Sequence, residues 1–83
     1  MIKINKKIYK ELQKYEMYFR QSHFGNYLMN CSSKTTLDLL EIVRKIGYVG
    51  SVNISCNSCK IKFFKEIAKE YFNYQKTIEK GDN

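Results

Sequence analysis

Cys56-Asn57-Ser58-Cys59 is the stretch of this sequence whose residue types and spacing come closest to doing chemistry. Two thiols three residues apart at the start of a helix share one turn, and the positive end of the helix dipole lowers a thiol pKa there. That environment suits both disulfide exchange and metal binding. A redox pair of this kind normally follows a strand in a βαβ unit, and no such unit is legible here. A structural zinc site needs four ligands, and the remaining soft ligands are Cys31 and His23. In an antiparallel helical bundle His23, Cys31, Cys56 and Cys59 would converge, although their spacing is unusual for zinc. The plainest role for these cysteines is as small, half-buried side chains where a helix meets its loop. The expectation is therefore no cofactor, with zinc on these four residues as the alternative.

Lysines supply the second constellation. Lys3, Lys7, Lys10 and Lys14 recur at 4-3-4 spacing, and Lys62, Lys65, Lys69 and Lys76 at 3-4-7, so each set shares one face of a helix. Clustered ammonium groups neutralise phosphates, with a steep salt dependence as the signature. Any amphipathic helix also needs a charged outer face, and Glu11 and Glu66 lie within a turn of these lysines. Arginine, the main reader of guanine edges, occurs only at Arg20 and Arg44, so phosphate contact is expected rather than base reading. Seven tyrosines and five phenylalanines would serve as stacking platforms for single-stranded bases, but with no tryptophan present most are needed to fill the core. Tyr9, Tyr18, Tyr48 and Tyr74 are the ones expected at the surface.

Catalysis finds little support. One histidine, no Gly-rich phosphate loop and eight acids scattered among lysines give no triad and no carboxylate pair. No enzyme and no small-molecule substrate are expected.

The elements that must carry these residues are helices. Ile4, Ile8, Leu12, Tyr15 and Phe19 form an apolar stripe that predicts a first helix over about residues 5–23, capped by Asn5 and stopped at Phe24-Gly25-Asn26. Tyr27-Leu28-Met29 reads as a packed connector. Leu39, Leu40, Ile42, Val43 and Ile46 predict a second helix, with N-cap candidates at Ser32, Ser33, Thr35 and Thr36 and a Thr35-x-x-Asp38 capping box. Arg44, Lys45 and Gly47 supply its C-terminal chemistry. A loop follows over residues 48–55, in which Val49, Val52 and Ile54 alternate as a short strand would. Ile61, Phe64, Ala68, Tyr71 and Ile78 then predict a third helix from about residue 55 to 77, ahead of a frayed tail at Gly81-Asp82-Asn83. The gap between the last two helices is about twice the 3–4-residue turn of a helix-turn-helix motif, which argues against that motif.

At 83 residues with 43% hydrophobic side chains, one domain spanning 1–83 is expected, an all-α, small three-helix bundle with short loops. A net charge of +7 gives an attractive field for nucleic acid or for acidic protein surfaces. No apolar run approaches the ~18 residues that span a bilayer, and the first residues lack the apolar stretch of a signal peptide. Three cysteines are an odd number for a disulfide scaffold. These features lead to the expectation of a cytoplasmic protein with no membrane partner.

Tyr18-Phe19, Asn26-Tyr27-Leu28-x-Asn30, the helix ending at Gly47, and Ser55-Cys56-x-x-Cys59 leading to Tyr71-Phe72 together resemble a group of small, uncharacterised proteins. These are encoded by tailed phages and prophages of Bacteroidetes hosts, and the likeness covers about two-thirds of the chain. In that pattern the cysteine pair stands without a second half-site, which counts against zinc. The resemblance implies a phage accessory protein in genome handling, host takeover or assembly, located in the host cytoplasm, and transfers no catalytic residue. The leading expectation is a basic accessory protein whose Lys3, Lys7, Lys10, Lys14, Lys62, Lys65 and Lys69 meet nucleic-acid phosphates. The alternative is a protein-binding module that offers the same basic surface to an acidic partner, as an inhibitor of a host factor or a small assembly or virion component.

Overall fold

Asn5 opens the first helix: its side-chain oxygen accepts a 2.9 Å hydrogen bond from the Ile8 N–H, satisfying one of the donors a helix start leaves unpaired. In this computed structural model, which describes the backbone of residues 2–81 and the side chains of residues 2–78, helix α1 (Lys6–Leu12) continues through one 3₁₀ turn (Gln13–Tyr15) into helix α2 (Glu16–Gly25). Helix α3 (Ser33–Arg44) and helix α4 (Asn57–Gly81) complete the fold. Taking α1 and α2 as one helical segment, the described residues form an all-α three-helix bundle without strands. Its 42 Å long axis is close to the roughly 37 Å that 25 helical residues span at 1.5 Å each.

The helix ends follow local chemistry, with one difference from the sequence reading. α2 stops where expected, and the left-handed residue is Asn26 (φ 61°), whose N–H bonds the Ser22 carbonyl at 3.2 Å. Gly25 leaves room for the exposed Tyr27 ring, which a Cβ there would approach to 2.4 Å. At α3 the capping box does not form. Ser32 is the cap, its hydroxyl accepting from the Thr35 N–H at 3.1 Å, and Asp38 pairs with Lys34 at 3.1 Å. Gly47 (φ 113°) closes α3 as expected, with Gly47 N–H to Arg44 O and Tyr48 N–H to Val43 O, the paired bonds of a Schellman motif.

That motif turns Tyr48 back onto the core, where its ring meets Phe63 edge-on at 5.3 Å. The alternating Val49, Val52 and Ile54 make no strand, and Val49 is 93% exposed. A single extended segment has no partner to satisfy its backbone. The twelve residues between α3 and α4 rule out a tight helix-turn-helix junction. α4 runs past the expected end at 77 and includes Gly81; residues 82–83 of the expected tail lie outside the described residues.

α2 and α4 share the most extensive backbone packing in the bundle. Phe19, Phe64 and Tyr71 sit fully buried between them with Leu12, Leu39, Val43 and Ile67. Each such side chain contributes about 1.5–3 kcal/mol on leaving water. Ile2 also enters the core, because the Lys3 N–H bonds the Ile46 carbonyl at 2.9 Å and holds the N-terminal segment against the end of α3.

Candidate functional site

Lys62, Lys65 and Lys69 occupy successive turns of α4 on the side away from Ile67 and Tyr71. They line a groove of ≈ 600 Å³ together with His23, Asn26, Ser58 and Ile61. The left-handed stop of α2 puts the Asn26 side chain within reach of α4. Its Oδ1 accepts a 2.9 Å hydrogen bond from Lys65 Nζ, tying the two walls of the groove together. Glu66 also lines the groove but forms no ion pair. Among the described residues the ion pairs are Glu16–Arg20 and Lys34–Asp38, so the seven lysines expected to meet phosphates carry their charges uncompensated by a bridging carboxylate.

The other four lysines do not join this surface. α1 begins at Lys6, so Lys3 belongs to the extended segment before it and leaves the predicted helical stripe. Lys7, Lys10 and Lys14 are exposed on the outer side of α1 and the 3₁₀ turn, opposite buried Ile8, Leu12 and Tyr15, with Lys14 Nζ 5.5 Å from the Tyr15 ring centroid. Each stripe lies behind the helix face that enters the shared core. The lysines therefore fall into two sets, one that lines the groove beside Asn26 and one that does not.

The four soft ligands are not brought together. His23 meets Phe24 edge-on and Phe72 at a tilt, at 4.7 and 5.4 Å between ring centroids, and the Cys31 Sγ lies 3.7 Å from the Thr36 hydroxyl. Among the described residues no three His, Cys, Asp or Glu side chains are placed to share a metal ion. Cys56 and Cys59 do meet. The Cys56 carbonyl accepts the Lys60 N–H at 3.1 Å, making Cys56 the residue that caps α4, and its Sγ accepts the Cys59 N–H at 3.3 Å. The Cys59 thiol, the Ser58 hydroxyl and that N–H, in this order, favour the thiolate and pull the Cys56 pKa down to about 7. The hydrogen bond it shares with Cys56 pushes the Cys59 thiol up.

An apolar surface escaped the sequence reading. Met17 (57% exposed), Phe24 (71%), Tyr27 and Met29 stand out from α2 and the loop after it, and that loop is pinned where the Met29 N–H donates to Gln21 Oε1 at 2.8 Å. The signal was present: Met17 and Phe24, seven residues apart, fall on the face of α2 opposite Tyr15 and Phe19. Conversely, Tyr9, Tyr18, Tyr48 and Tyr74, expected at the surface, are half-buried and packed on other rings. The exposed tyrosine is Tyr27.

Fold and surface together define a small basic helical bundle whose reactive side chains are outward lysines and one cysteine turn. No protein-family model, curated protein or solved structure shows significant similarity to the chain. No helix among the described residues is long and apolar enough to cross a membrane.

Proposed function

We propose that this protein is a non-catalytic nucleic-acid-binding protein that contacts the phosphate backbone chiefly through Lys62, Lys65 and Lys69 of α4, with Lys3, Lys7, Lys10 and Lys14 as a second contact surface. The observation that carries this reading is the absence, among the described residues, of any carboxylate bridged to these lysines. A protein that needed them only as a solvated face gains by pairing them with acids one turn away, whereas a phosphate-binding face is best left open. The groove between Asn26 and α4 adds a concave wall along which a backbone fits. Arg20 is engaged by Glu16 and Arg44 lies outside the groove at the end of α3, which favours contact with phosphate over contact with base edges. An accessory role in phage genome handling, within the host cytoplasm, accords with this chemistry.

Fluorescence anisotropy with short labelled DNA and RNA at rising salt tests it. Micromolar or tighter binding is expected, with log K falling linearly in log salt by about 0.9 per phosphate contacted on duplex DNA. Failure to bind at low salt would remove the proposal.

A second reading, a protein-binding module, is favoured by the exposed Met17, Phe24, Tyr27 and Met29 surface, since exposed aromatic and Met side chains are typical interface anchors. Its test is the Phe24→Ser variant. Under this reading the substitution abolishes capture of a partner while leaving nucleic-acid affinity unchanged.

A further inference from the structure

Cys56 and Cys59 form a pair of partly exposed thiols with no disulfide between them. They are three residues apart across the first turn of α4. Helix geometry sets Cα atoms at that spacing about 5 Å apart, inside the roughly 4.4–6.8 Å window that a disulfide spans. The Cys56 sulfur already lies over the target residue, since it accepts the Cys59 backbone N–H at 3.3 Å. The Ser58 hydroxyl, also 3.3 Å away, is placed to donate to the sulfur once it is charged. The remaining cysteine, Cys31, is engaged with the Thr36 hydroxyl and takes no part in this turn.

We propose that Cys56-Asn57-Ser58-Cys59 is a site of reversible thiol–disulfide exchange with a low-molecular-weight disulfide, Cys56 being the attacking thiol and Cys59 the resolving one. The Cys56 thiolate attacks one sulfur of the disulfide RSSR. A Cys56–SR bond forms, the S–S bond of RSSR breaks, and RS⁻ leaves and takes up the proton that Cys56 released to solvent. Cys59 then loses its proton and attacks the Cys56 sulfur. The Cys56–Cys59 bond forms, the Cys56–SR bond breaks, and the second RS⁻ is protonated. The pair is oxidised by two electrons and RSSR is reduced to two RSH.

The division of labour follows from the geometry. Cys56 holds the helix-capping position and collects the hydrogen bonds that stabilise a thiolate, which brings its pKa close to neutral, the optimum for an attacking thiol. Cys59 is held protonated by its neighbour until Cys56 is consumed as a mixed disulfide, and Lys62, one turn further on, then favours its ionisation. This inference stands apart from the nucleic-acid reading, because none of its steps uses phosphate contact.

The test incubates the reduced full-length chain with oxidised glutathione at pH 7, quenches with acid, alkylates the free thiols and maps the peptides by mass spectrometry. An intramolecular Cys56–Cys59 disulfide is expected, with Cys31 alkylated. In Cys59→Ser a stable glutathione adduct should collect on Cys56, and in Cys56→Ser adduct formation at Cys59 should be slower by about tenfold. Serine is itself a favoured helix cap, so Cys56→Ser keeps the fold, which circular dichroism verifies. Adducts spread evenly over Cys31, Cys56 and Cys59, faster trapping at Cys59 than at Cys56, or bound zinc that shields both thiols from alkylation would each overturn the proposal.

Discussion

The Tyr71 hydroxyl donates a 2.6 Å hydrogen bond to Glu16 Oε1, joining the first residue of α2 to the middle of α4, while the other oxygen of the same carboxylate holds Arg20 at 3.0 Å. Tyr71 is fully buried and also stacks on Tyr9 at 5.1 Å between ring centroids. One phenol thus fixes the angle at which the first helical segment lies on the long helix. Tyr71→Phe keeps the ring and removes the bond, leaving a half-buried carboxylate oxygen without its donor. A loss of about 1.5–3 kcal/mol is expected for a hydrogen bond to a charged group, read as a lower midpoint in urea with an unchanged slope. Glu16→Gln, which preserves an acceptor for Tyr71, should cost less.

The same phenol gives the fold a sensitivity to alkali. Burial first, and then the hydrogen bond to Glu16, push the Tyr71 pKa far above that of a free tyrosine; burial likewise raises Tyr15 and Tyr48. The folded state therefore holds these protons where the unfolded chain releases them. Their contribution is fully present below about pH 10, the ordinary tyrosine value, and is lost as pH rises toward the folded-state values. Urea midpoints measured from pH 8 to 11 should stay level and then fall above 10. In Tyr71→Phe the alkaline fall should be shallower.

Two glycines with different reasons to be glycine separate in mutagenesis. Gly47 has a left-handed backbone in the Schellman motif, so Gly47→Ala should destabilise by about 1 kcal/mol, and Gly47→Asn by less. Gly25 is helical, and its constraint is the Tyr27 ring 2.4 Å from a new Cβ. Gly25→Ala should swing Tyr27 away at small cost. In the Tyr27→Ala background the same change should become neutral or stabilising, since alanine is the better helix former. Thermal melts of the five variants, the Tyr27→Ala background included, check both statements.

Where the sequence carried a repeated apolar spacing, the fold was legible: the stripe from Ile8 to Phe19, the Leu39–Val43 face and the Phe64–Tyr71 face all became core. Ser32, Asn5, Asn26 and Gly47 were readable as punctuation because their chemistry is local. What misled was information that periodicity does not hold. The helix start at Lys6 removed Lys3 from its stripe. His23 and Cys31 do come to the start of α4, where His23 shares a groove with Ser58 and the Cys31 carbonyl accepts from Lys60 Nζ at 3.3 Å, but among the described residues no three soft ligands are placed to share a metal ion. Tyrosines judged exposed by their place off the stripe were drawn in by one another, as Tyr9 was by Tyr71 and Tyr74. The lysine spacings were correct for each helix taken singly. They did not say that the α4 set alone would line a groove.

That difference yields the sharpest test of which lysines act. If α4 carries the main phosphate contact, Lys62→Gln/Lys65→Gln/Lys69→Gln should weaken DNA or RNA binding and flatten the salt dependence by about 2.7 in slope on duplex DNA, three contacts at about 0.9 each. Lys7→Gln/Lys10→Gln/Lys14→Gln, with a matched change in net charge, should lower affinity only through the long-range field and leave most of the slope intact. Both triple variants alter exposed or half-exposed side chains, so their melting temperatures should stay within a few degrees of the parent. Equal loss of slope in both would mean that the protein is wrapped or bridged by its polyanion. Loss confined to the first-helix variant would transfer the contact from the groove beside Asn26 to the outer side of α1.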